Sequence, residues 1–171
     1  MLCFMNNYIL KFLPTLLFSL SLCVNGSNLS DDAKNRGISE VCYSYLSQIE
    51  KSYNLNGLNI TFAHPENSSI LPSLHVSSQI YNNGASSFSA TLTPDDKYCY
   101  LSTIIVTSIN NQSCSEIAKV KAEKENLKLS SYADGGFLIL TPNDNSYQTI
   151  LASAGESACT ITEARMMWPG K

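Results

Sequence analysis

The sequence predicts an α+β fold, two helices packed on a mainly antiparallel sheet, in which a helix-plus-four-strand unit occurs twice. Three observations lead there. Helical periodicity runs from residue 38 to 53 and resumes at Ser113, short alternating strands are separated by turn residues, and four cysteines take matching places in the two halves.

The chain opens on an export signal. From Tyr8 to Val24 it is almost wholly apolar, broken by Lys11, Pro14 and small hydroxyl residues, and it is shorter than the ~20 residues a membrane-spanning helix needs. Val24-Asn25-Gly26 has the small-x-small spacing of a signal peptidase site, so residues 1–26 read as signal peptide and 27–171 as a single α+β domain. Leu22 stands directly before Cys23, where lipid modification wants a small residue, which argues against a lipid anchor. The expected location is secreted or periplasmic, with no integral membrane span once the signal is removed.

Ile38, Cys42, Tyr45, Ile49 and Tyr53 recur at helical spacing and put Cys42 on a buried face, with Asn54 to Gly57 as the stop. Leu58 to Phe62 is a first strand. Leu74, Val76, Ser78 and Ile80 alternate in a second, Asn82-Asn83-Gly84 turns the chain, and Phe88, Ala90 and Leu92 alternate in a third. After a turn at residues 93–96, Tyr98 to Ile109 is the longest strand and apolar on both faces, which predicts a central place in the sheet. Ser113 and Glu116 have capping-box spacing for a second helix, with Ile117, Val120 and Leu127 as its inner stripe. Four more strands follow: 127–133, 137–140, 147–152 and 159–168.

Export removes Cys3 and Cys23 with the signal and leaves Cys42, Cys99, Cys114 and Cys159, an even number in an oxidising compartment. Cys99 and Cys114 flank the longest strand, which at ~3.3 Å per residue holds them ~30 Å apart, beyond the ~7 Å reach of a disulfide. In a four-strand meander after a helix, the helix start and the fourth strand's start share one end. The expected bridges are therefore Cys42–Cys99 and Cys114–Cys159.

No catalytic or ligand motif stands out. His64 lies in a loop before Pro65, and His75 falls on the polar side of a strand, a solvent-facing position; neither has a metal-ligand spacing. Asp95-Asp96 and Asn143-Asp144-Asn145 read as turns beside Pro, and Gly135-Gly136 as a hairpin turn. With 11 Lys and Arg against 14 Asp and Glu, the net charge is −3 and there is no basic stripe, so nucleic acid is not an expected partner. No metal or cofactor is expected either. Asn28, Asn59, Asn67 and Asn111 head glycosylation triplets, which carry meaning only in a eukaryotic secretory pathway.

A small, exported, disulfide-stapled domain without catalytic groups points to a non-catalytic binding module acting on a protein partner, of the inhibitor, immunity or envelope-accessory type. Its candidate contact residues are Tyr98, Tyr100 and Trp168, for which core packing or edge covering is the competing account. Two other classes stay open. A small hydrolase with a serine or carboxylate site would gather His75 or His64 with Asp and Ser in a pocket, and a carrier of small apolar ligands would hold a cavity between helices and sheet. The twofold helix-plus-sheet layout resembles that of secreted β-lactamase-inhibitor proteins.

Overall fold

The computed structural model describes residues 28–167, so the export signal and Trp168 lie outside the described residues. Two helices, α1 (Leu29–Asn35) and α2 (Glu40–Tyr53), lead into β1 (Leu58–Phe62), β2 (Ser73–Tyr81), β3 (Gly84–Asp95) and β4 (Tyr98–Asn110). Then come α3 (Cys114–Glu125), β5 (Lys128–Tyr132), β6 (Phe137–Thr141), β7 (Tyr147–Ser153) and β8 (Ala158–Met167). All eight strands form one sheet in the order β1-β2-β3-β4-β8-β7-β6-β5, and every neighbouring pair is antiparallel. β4 and β8 meet in the middle of that order.

Local chemistry sets the boundaries. Asn54 and Asn126, both left-handed at φ 50° and 53°, end α2 and α3, a conformation that Asn tolerates better than most residues. Ser113 caps α3 in a full capping box, its hydroxyl accepting from the Glu116 N–H while the Glu116 carboxylate accepts from the Ser113 N–H. β3 runs on through Pro94 to Asp95, so the turn that the sequence places at 93–96 is the two-residue Asp96-Lys97, with Asp96 at φ 37°. Gly84 is required by a close approach: a Cβ there would lie 1.9 Å from the Ser108 carbonyl oxygen.

The helices lie on one face of the sheet, α1 over β1 and β2, α2 over β3 and β4, and α3 over β5 to β8. Beneath them are two cores. One joins Leu29, Leu46, Phe88, Leu92 and Leu101 to Cys42 and Cys99, and the other joins Ala118, Leu140 and Leu151 to Cys114 and Cys159. Both expected disulfides are present, with Cα atoms 5.1 Å apart for Cys42–Cys99 and 5.0 Å for Cys114–Cys159. Each ties the first turn of a helix to the start of a strand that the helix covers.

Four expectations are corrected. Three helices lie on the sheet where two are predicted, because α1 offers only Leu29 and Ala33 as inward apolar residues, too few for a periodic signal. Val120 is 65% exposed and Ala118 takes its place against the sheet. β4 is central, but Ile104 and Val106 on one of its faces are open to solvent. β2 is turned the other way round: Ser73, His75, Ser77 and Gln79 point under the helices, while Leu74, Val76 and Ile80 point away from them. His75, expected on the solvent side, is completely buried. Among the described residues no helix is long and apolar enough to cross a membrane.

Candidate functional site: the open face of the sheet

The pairing registers run without a break from β1 to β5, so alternate residues of every strand share a face. The face turned away from the helices has no cover among the described residues. It exposes Leu58, Ile60 and Phe62 of β1, Leu74 and Ile80 of β2, Tyr98, Tyr100, Ile104 and Val106 of β4, Ile150 of β7, Phe137 of β6 and Tyr132 of β5. Between them stand hydroxyl and small side chains: Ser87, Ser89 and Thr91 of β3, and Thr160, Thr162 and Ala164 of β8.

Charge is almost absent there. Of the strand residues on this face only Asp95, at the end of β3, and Lys128, at the start of edge strand β5, are ionisable acids or bases other than tyrosine. The other strand charges, Glu163 and Arg165, project to the helix side. An open sheet in a soluble protein ordinarily alternates apolar inward and polar outward. β2 reverses that rule, and its apolar side chains are on the solvent side.

Of the sequence-predicted contact residues, Tyr98 and Tyr100, two apart on β4, both lie on the open face and are 48% and 37% exposed. Trp168 lies outside the described residues. A shallow depression of about 430 Å³ is lined by Ser102, Ile104, Tyr147, Gln148, Ala164, Arg165 and Met166, and neither Tyr98 nor Tyr100 is part of it. Sequence reading reaches the two tyrosines through composition alone and misses Ile104, Val106 and the β1–β2 corner, because alternation does not say which face is covered. Of the glycosylation triplets, Asn28, Asn67 and Asn111 are exposed in loops or at a helix end and Asn59 is half-buried on the helix side, so none occupies the open face.

The helix side holds two polar clusters. In the first, the Ser73 hydroxyl lies 2.8 Å from His75 Nε2 and the Thr61 hydroxyl 3.1 Å from Nδ1. A Ser-His pair of this length resembles half of a hydrolytic triad. Here, however, the second nitrogen meets a threonine instead of a carboxylate, and Ser73 and His75 are 4% and 0% exposed, so a substrate cannot reach them. In the second cluster, Arg165 pairs with Glu163 at 2.8 Å and stacks 4.3 Å over the Tyr147 ring; Tyr147 donates to Glu125, which also pairs with Lys121 at 2.8 Å. The Lys121 hydrogen bond holds the Glu125 carboxyl below its usual range, and burial first, then the Glu125 charge, raises Tyr147. Every ionic member of that network is partnered within it, so it works as a clasp between α3 and the strands.

Burial drives the His75 pKa down to about 4, opposed by the Asp32 charge on α1. The unfolded chain binds this proton near pH 6.5 and the folded one only near 4, so stability is full above pH 7 and falls as pH drops from about 6.5 to about 4. The shift amounts to about 3 kcal/mol. Urea midpoints measured from pH 7.5 to 4 are expected to fall for the native protein and to fall less for His75→Gln. Equal slopes would assign the acid sensitivity elsewhere.

No group of three or more His, Cys, Asp or Glu that could hold a metal occurs among the described residues. No known protein family, curated protein or solved structure matches this chain.

Proposed function

We propose that the protein is an exported, non-catalytic binding module that presents the open face of its sheet to a protein partner, in the manner of an inhibitor, immunity or envelope-accessory protein. One observation carries this reading: a broad, nearly uncharged sheet face bearing large apolar and aromatic side chains, on a chain whose other face is covered by helices. Exposed apolar surface of this extent marks interaction sites on soluble proteins. Tyr and Phe in a region depleted of charge match the composition found at the centre of interfaces, whereas the serines and threonines between them do not add to that match.

The location follows from the same reading, with residues 1–26 as a removable signal and the two disulfides suited to the periplasm or cell exterior. We also read the layout as a duplicated unit, α2 with β1–β4 and α3 with β5–β8. In support, the strand order is symmetric about the β4–β8 pair, and each disulfide joins a helix's first turn to the second residue of a strand.

The test is capture of a stoichiometric partner from the native extracellular or periplasmic fluid, followed by affinity measurement on surface variants. Tyr98→Ala, Tyr100→Ala and Ile104→Arg are each expected to weaken binding by about tenfold or more with thermal stability retained. Unchanged affinity in all three would remove the open face as the docking site.

A further inference from the structure

The open face invites a definite occupant. Taking the face as a docking surface, as above, we propose that it accepts a second copy of this chain, sheet against sheet about a twofold axis.

Size is the first argument. Eight strands at ~4.8 Å spacing make a face about 34 Å wide, and paired segments averaging about seven residues at ~3.3 Å make it about 24 Å long, on the order of 800 Å² per copy. That is about the area each partner contributes to a stable protein–protein interface. Two twisted antiparallel sheets of the same hand pack face to face about 10 Å apart with strands ~30° off parallel, and the unbroken register leaves no bulge to obstruct this.

Relief is the second. Ile104 and Val106 form a ridge on β4, and on either side Ser87 and Ser89 of β3 and Thr162 and Ala164 of β8 form lower ground. When two copies face one another offset by one strand, each β4 ridge settles into the partner's neighbouring trough. A surface with ridge and trough side by side is complementary to itself, the condition for an isologous twofold contact.

Charge is the third. Roughly a quarter of the residues in an ordinary globular protein are charged, and an ordinary protein surface docked here would lose water from those groups without finding a charge to pair with. A second open face brings only Asp95, at the end of β3, and Lys128, on the edge strand β5, both at its margin. It also keeps the charge-bearing helix layers of both copies on the two outer sides of the assembly; without Lys11 of the signal each copy has 10 Lys and Arg against 14 Asp and Glu, a net −4.

Sedimentation velocity on the oxidised, exported protein, run from about 1 to about 300 µM, tests this. A dimer is expected within that range. Ile104→Arg combined with Val106→Lys is expected to raise its dissociation constant by about tenfold or more, whereas Val120→Arg on the exposed side of α3 leaves it unchanged. Met166→Glu serves as an independent second probe of the face should the double variant lose its near-ultraviolet signal. A wild-type monomer across the range overturns the inference, as does a dimer that the face variants leave intact. If the protein is monomeric and the face variants still abolish binding of a captured partner, the second copy is wrong and the binding module stands. If neither response is seen, both fall.

Discussion

Breaking Cys114–Cys159 by paired serine substitution is expected to cost on the order of 4 kcal/mol and to lower the melting temperature by about 12 °C. The bridge closes a separation of 45 residues and Cys42–Cys99 one of 57, so chain entropy gives each a similar worth in the unfolded state. What differs is the packing left behind. The first core retains Leu29, Leu46, Ile49, Phe88, Leu92 and Leu101 without its cystine, whereas the second is reduced to Ala118, Leu140 and Leu151 with partly buried neighbours such as Ile117 and Ile161. Loss of Cys114–Cys159 is therefore expected to release α3 and the β5–β7 edge, and loss of Cys42–Cys99 to weaken the protein without detaching α2. Total stabilities of 5–15 kcal/mol are typical of single domains, so reduction of both bridges is expected to unfold the protein at 37 °C. Hydrogen exchange with peptide-level readout checks the order. Equal loss of protection in α2 and α3 would mean that the two cores do not differ as argued, and a drop under about 1 kcal/mol for either pair would place the stabilisation outside the cystines.

Local signals carry far in this sequence where the physics is itself local. The Ser113 capping box, the Asn54 stop and the limits of β1 depend on residues within one turn of each other, and they occur where the spacing places them. The disulfide pairing is also legible, because a long strand cannot bring Cys99 to Cys114 and a meander brings each helix start to its fourth strand. The orientation of β2 is not. Period-two alternation says that two faces differ, but a helix decides which one is covered, and α1 over β1 and β2 is too short to announce itself. That one omission accounts for the misplacement of His75 and for the failure to see that Leu74, Val76 and Ile80 belong to an uncovered face. Tyr98 and Tyr100 are legible as contact candidates by residue type; the surface around them is not, since it is assembled from all eight strands.

Glu50→Ala is expected to detach α1, at a cost of about 3 kcal/mol. This glutamate, in the last turn of α2, is only 8% exposed. Its carboxylate accepts hydrogen bonds from the Leu29 N–H, the Ser30 N–H and the Ser30 hydroxyl. Asn28, the residue before α1, makes no side-chain cap, so Glu50 supplies from a neighbouring helix the acceptors that a capping residue would give the first free N–H groups. Removing it leaves buried donors unpaired beneath a helix of only 7 residues, too short to persist undocked. Glu50→Gln keeps one acceptor oxygen but turns an amide donor toward Ser30, and is expected to cost nearly as much. The decisive readout is His75, which α1 helps to cover together with Thr61 and Ser73. With α1 released, water reaches the ring, the burial that holds its pKa at about 4 is relieved, and titration by nuclear magnetic resonance is expected to move toward 6.5 in Glu50→Ala. A variant that loses stability while His75 stays at its native pKa would show that Glu50 anchors α2 to the sheet and leaves α1 to other contacts.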